Sequence, residues 1–210
     1  MWKKLLIGLS IIAVSCTIDI VSTINTGSEA TPHQFPFAVA VRTRNLSFSP
    51  RLCGAALISR NAVCTAAFCV YGQMDGQVIL GAQNIADENE PFQVKMEIFM
   101  KDVVIHPDYV PGQMSNDIAI VRLPASIAFF THAINIISLA TNPDEFFDTA
   151  TTMGWGSECI LPTCPELNVL RMVDVSVRPN SECNNLGLTS DSQLCASNIL
   201  GGPCRGNFKG

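Results

Sequence analysis

Apolar residues in this chain come in short runs, each stopped by a cluster of Gly, Asn, Asp, Ser or Pro, and no stretch keeps a 3.6-residue rhythm over helical length. The runs include residues 37–41, 55–58, 62–65, 78–80, 103–105 and 118–123. Val173, Val175 and Val177 alternate with Asp174, Ser176 and Arg178, and Pro179 ends the pattern. Period two marks a half-buried strand, and proline cannot continue the ladder. Many short strands between regular turns predict an all-β barrel or sandwich. The rhythm weakens between Leu123 and Asn142, which reads as a mid-domain connector.

A hydrophobic fraction of 48% with only 15% charged residues argues against disorder, and 210 residues suffice for a sizeable core. The net charge of −5 disfavours a nucleic-acid binder, which would need a basic face. No apolar run reaches the ~18–20 residues of a membrane span. Nine cysteines and twelve prolines fit a loop-rich domain from an oxidising compartment. Lys3 and Lys4, the apolar residues 5–14 and the small-residue site Ala13-Val14-Ser15 read as a secretory signal peptide over residues 1–16. The product is expected to be extracellular. Asn45-Leu46-Ser47 is a glycosylation sequon in a polar stretch between two apolar segments, as a surface loop requires.

Several segments in order resemble the chymotrypsin/trypsin-like serine proteases. Ile24-Asn25-Thr26-Gly27 is similar to the mature amino terminus of that family, and Leu52-Cys53-Gly54-Ala55-Ala56-Leu57-Ile58-Ser59 to its first core hairpin. Thr65-Ala66-Ala67-Phe68-Cys69 resembles the histidine motif with Phe in place of His. Asn116-Asp117-Ile118-Ala119 resembles the aspartate motif, and Gly154-Trp155-Gly156 the segment that opens the second barrel. Cys204-Arg205-Gly206-Asn207-Phe208-Lys209-Gly210 stands where the serine motif belongs. The resemblance implies two antiparallel β-barrels with the site in the cleft between them. It divides the chain into a signal peptide, a short leader or pro-segment over 17–23, and a protease-like domain over 24–210. It also implies that the second barrel is incomplete, because domains of this kind run to roughly 200–250 residues.

Acyl transfer on this fold needs a nucleophile, a base, an orienting carboxylate and backbone donors for the oxyanion. By resemblance the base position is Phe68 and the nucleophile position is Phe208, so only Asp117 remains of the triad. A benzyl ring neither carries a proton nor attacks a carbonyl. Gly206 and Phe208 fall at the oxyanion-hole positions, and Gly202 at the floor of the substrate pocket. Thr23 precedes Ile24, and Asn207 replaces the aspartate that would hold a freed amino terminus, so both sides of the activation switch differ. His33, His106 and His132 read as surface residues rather than a replacement base. Asp117, facing Phe68, is expected to be solvated, bonded to backbone or raised in pKa.

With Cys16 in the leader, eight cysteines allow about 105 pairings. The resemblance implies Cys53–Cys69 and Cys183–Cys195, with Cys159–Cys164 as an extra local bridge. It leaves Cys64 as a small core residue and Cys204 unpaired. The acidic loop holding Asp87, Glu88 and Glu90 reads as a solvated loop, although some members of the family bind calcium there. No C-x₂-C pair or histidine spacing of the metal-site type occurs, so neither metal nor cofactor is expected. These observations favour a secreted homologue without proteolytic activity, acting as a binding or regulatory module. Its partners would be other secreted proteins, proteases or surface ligands. An endopeptidase with a corrupted sequence and a non-functional fragment are the alternatives.

Overall fold

A computed structural model describes residues 27–47, 50–113, 115–140, 148–157, 166–183 and 193–197. The strands are β1 (Ser28–Glu29), β2 (Ala38–Arg44), β3 (Pro50–Ser59), β4 (Ala62–Thr65), β5 (Asp75–Leu80), β6 (Val94–Phe99), β7 (Val103–Ile105), β8 (Ala119–Arg122), β9 (Thr149–Ser157), β10 (Glu166–Arg178) and β11 (Cys195–Ser197). Two one-turn helices accompany them, α1 (Ala67–Val70) and α2 (Asn180–Cys183).

Seven strands form one antiparallel sheet in the order β6-β5-β2-β3-β4-β8-β7. Its two outer strands, β6 and β7, are successive in the chain and separated only by the 3-10 turn Met100–Asp102. The sheet therefore curls back on itself, and it forms the first barrel of a chymotrypsin-type fold. Its interior is filled by Val39, Val41, Leu57, Val63, Val78, Leu80, Ile98 and Val121. In the second sheet β10 is flanked by β9, β1 and β11. All these pairings are antiparallel.

The continuous apolar run at the start of β2 has a simple cause. Successive side chains point to opposite faces, and here both faces are covered. Val39 and Val41 enter the barrel interior. Ala38 and Ala40 lie in a second cluster with Trp155 and Leu170 from the other sheet. β5 repeats the arrangement, with Val78 and Leu80 facing the barrel and Ile79 the second cluster. Alanine on the outer face of β2 lets the two sheets approach closely.

Residues 82–85 dock the two sheets by backbone. The Gln83 carbonyl accepts from Leu170 N–H at 2.8 Å and from the Trp155 indole N–H at 3.1 Å. Gln83 Nε2 donates to the Ala30 carbonyl at 2.6 Å, and Ile85 N–H to the Asn168 carbonyl at 2.9 Å. A buried backbone without such partners would be costly, so this seam ties the two sheets together.

Three sequence expectations need correction or extension. His106 is buried rather than on the surface, at 6% exposure. Its Nδ1 accepts from Asp108 N–H at 3.1 Å, and its backbone N–H donates to the Ile118 carbonyl at 3.0 Å, which folds the ring inward. His33 is half-buried, and His132 is exposed as expected. The run at 55–58 belongs to a ten-residue strand, and β6 has no counterpart among the sequence-read runs. Among the described residues no helix is long and apolar enough to cross a membrane.

Candidate functional site

Cys53–Cys69 binds α1 to β3, and β4 leads directly into α1. The helix begins without help from its own N-cap, because Ala66 has no side-chain acceptor. Its first N–H groups therefore need an external partner. Asp117 supplies it. Oδ1 accepts from Phe68 N–H at 2.8 Å, and the carboxylate also accepts from Ala67 N–H. Asp117 is positioned by a tight turn in which Ile118 N–H donates to the Asn116 carbonyl at 2.8 Å. Asn116 takes the left-handed conformation (φ 56°), which Asn tolerates better than most residues.

Around this pair the chain places two further side chains. The Arg51 guanidinium lies 5.0 Å over the centre of the Phe68 ring, and its Nη1 donates to the Phe68 carbonyl. A cation over an aromatic face is worth about 0.5–2 kcal/mol, more as water is excluded. Tyr109, whose ring lies 5.8 Å from that of Tyr71, is close enough to feel the charges of both Asp117 and Arg51. Burial raises the Tyr109 pKa; the Asp117 charge adds to the rise and Arg51 opposes it. Burial also pushes the Asp117 carboxyl above its ordinary value, against the two backbone N–H groups that favour the ion. The carboxylate is thus both bonded to backbone and raised.

The site offers one carboxylate, one guanidinium and one phenol around an inert ring. A carboxylate beside an imidazole would hold a base in its working tautomer. Beside Phe68 it holds only the end of a helix. Arg51 and Tyr109 carry no motif and were not legible as site residues. A signal did exist: Cys53 and Cys69 are bridged, so residue 51 on the same strand must lie near residue 68.

A raised carboxyl pKa has a definite sign in stability. Between the ordinary value of 3.8 and the raised value, the folded chain holds the Asp117 proton more tightly than the unfolded chain. This contribution is fully present below pH 3.8 and is lost as pH rises through the folded pKa. Asp117→Asn keeps an oxygen acceptor and removes the titration. The melting temperature of D117N relative to the parent is expected to rise from pH 3 to pH 7. Melts across that range check this, and a difference that is flat or falls with pH would contradict it.

Cys53–Cys69 and Cys183–Cys195 are both formed. Cys64 is a free thiol in β4, 1% exposed, and burial pushes its pKa up to about 12. Glu90 turns inward in its acidic loop. Its carboxylate accepts from Gln83 N–H at 2.8 Å, from Asn84 N–H at 3.0 Å and from Gln93 Nε2 at 3.2 Å. Among the described residues no group of three or more His, Cys, Asp or Glu gathers. Asn45 sits half-exposed at the head of a turn, and its Oδ1 accepts from Ser47 N–H at 3.0 Å. Cys159, Cys164, Gly202, Cys204, Gly206 and Phe208 lie outside the described residues, as do residues 1–26.

A family model described as Trypsin matches residues 24–207. Brachyurin of Leptuca pugilator is 34% identical over 189 residues, covering 88% of this chain and 78% of that protein. "Inactive serine protease scarface" of Drosophila melanogaster is 30% identical over 148 residues, covering 70% of this chain and 22% of that protein. A solved structure titled "Structure of GrC" superposes with a TM-score of 0.70 at 26% identity, covering 82% of this chain and 74% of that one.

Proposed function

The chain belongs to the trypsin family of chymotrypsin-like serine proteases, and from that premise we propose that it is a secreted, non-proteolytic member that acts as a binding or regulatory module. One observation carries the reading. At the position where the base belongs stands Phe68, whose ring carries no proton, and Asp117 accepts only from the backbone there, from Phe68 N–H at 2.8 Å and from Ala67 N–H. The Arg51 guanidinium, 5.0 Å over the ring, puts a cation where a base would stand free. The nucleophile position by resemblance, Phe208, carries no hydroxyl or thiol. Loss of base and nucleophile together removes about 10⁶ in turnover.

The two disulfides fit an oxidising compartment, and the basic-apolar leader fits export to it. Asn45, at a surface turn, carries the glycan in this reading. The partners are other secreted proteins, proteases among them, or surface ligands.

A fluorophosphonate probe, which reacts only with an activated serine, tests the central claim. Purified protein is expected to remain unlabelled while an active trypsin control is labelled to completion. Stoichiometric labelling of this chain would overturn the reading. A cooperative thermal melt on the same sample separates an inert folded protein from an unfolded one.

A further inference from the structure

Three loops far apart in sequence converge above Gly81 and bring two imidazoles together. His33 lies in a turn closed by Gln34 N–H on the Thr31 carbonyl at 3.0 Å, with Thr31 N–H on Gln34 Oε1 at 2.9 Å. His132 lies in a second turn, where Thr131 N–H donates to the Ile134 carbonyl at 2.8 Å. Thr131 Oγ1 accepts from Ala133 N–H at 3.1 Å and Ile134 N–H at 3.0 Å. Asn135 N–H reaches the Pro36 carbonyl at 2.9 Å and ties the second loop to the first. The third loop brings Phe92, whose ring lies 5.7 Å from His33 and 4.6 Å from His132.

The convergence is tight and locally strained. A Cβ on Gly81 (φ 70°) would stand 2.5 Å from the Phe92 carbonyl oxygen and 2.9 Å from Ile134 Cγ1. His33 and Phe92 are both in the left-handed region, at φ 63° and 68°. Such residues persist only where the surroundings hold them. The result is a fixed pair, with His33 and His132 ring centres 4.9 Å apart and the planes at 85°.

That spacing matches two ligands of one ion. An imidazole nitrogen at about 2.1 Å from a divalent metal puts its ring centre roughly 3.2 Å from the ion. Two such ligands at roughly 90–110° place their ring centres about 4.5–5.3 Å apart. We propose that His33 and His132 form a two-imidazole site for a late first-row divalent ion, of the Cu²⁺, Ni²⁺ and Zn²⁺ class. Neutral imidazole suits this class and not calcium or magnesium. Water completes the shell on the exposed face, and the Phe92 ring packs edge-on against both imidazoles. Sequence spacing conceals the site because its ligands come from loops on either side of the first barrel strands. The site is separate from the cleft and does not depend on loss of hydrolysis.

Zinc chloride titrated calorimetrically into the full chain tests the proposal. One saturable event per chain is expected below about 1 mM. His33→Asn, which tolerates the left-handed backbone, and His132→Gln are each expected to weaken it at least ten-fold, about 1.4 kcal/mol. The double variant should be little worse than either single one, because one remaining imidazole no longer chelates. Unchanged affinity in the double variant, or no binding in the parent, overturns the proposal. Ni²⁺ titration of the parent followed by NMR needs no variant: His33 and His132 ring signals should broaden first. Broadening confined to other residues overturns it equally.

Discussion

Phe68→His is expected to leave peptide hydrolysis within two-fold of the parent chain. The substitution puts an imidazole beside Asp117, and the carboxylate can orient it. A base without a nucleophile has nothing to deprotonate, and the nucleophile position by resemblance is Phe208. Triad members act as a unit, so losing one costs nearly as much as losing all. The converse holds for restoring one. Arg51 adds a second obstacle, since its guanidinium covers the face of residue 68. A panel of chromogenic peptide substrates with varied P1 residues measures kcat/KM for parent and variant. A gain of about 100-fold or more, near 2.7 kcal/mol of transition-state stabilisation, would show a working nucleophile and sink the reading.

Removing the Cys53–Cys69 bridge should cost about 3 kcal/mol of stability. The bridged residues are 16 apart, and closing a loop of that length in the unfolded chain is worth about 3 kcal/mol in the chain-entropy account. Both sulfurs are buried, Cys53 at 2% and Cys69 at 1% exposure, so Ala is the cleaner replacement than Ser. For a chain of this size the double Ala variant should melt roughly 6–12 °C lower. The loss should be felt first at α1, whose other anchors are hydrogen bonds: to Asp117, from the Arg51 guanidinium and from the Thr43 hydroxyl, which donates to the Cys69 carbonyl at 2.9 Å. Faster amide exchange at Phe68 than in β2 would register this. An unchanged melting temperature would mean that the bridge constrains nothing.

The first barrel was legible because its strands obey simple periodicities. The apolar run before Arg42 announced β2, and in the second sheet Val173, Val175 and Val177 announced β10 in the same way. β6 was less visible: Val94, Met96 and Ile98 alternate correctly, but Phe99 places a large apolar side chain at 52% exposure, off the pattern. His106-Pro107-Asp108 reads as a surface turn. The bond from Asp108 is part of that local turn, but His106 N–H also donates to the Ile118 carbonyl, a pairing that no local pattern encodes. Of the site, Phe68 and Asp117 were found through their motifs. Arg51 and Tyr109 were not, because their roles arise from tertiary placement: Arg51 bonds a residue 17 positions away, and Tyr109 feels a charge 8 positions away.

The bond from Asp117 to the start of α1 also changes what an aspartate motif can testify to. Folding alone gives this chain a reason to keep the carboxylate, since α1 would otherwise begin with bare amides against a half-buried cleft. An intact Asn-Asp-Ile segment is therefore a marker of ancestry and of a well-seated helix. When sequences of this family are sorted into catalysts and non-catalysts, that aspartate casts no vote; the residue whose backbone it holds does.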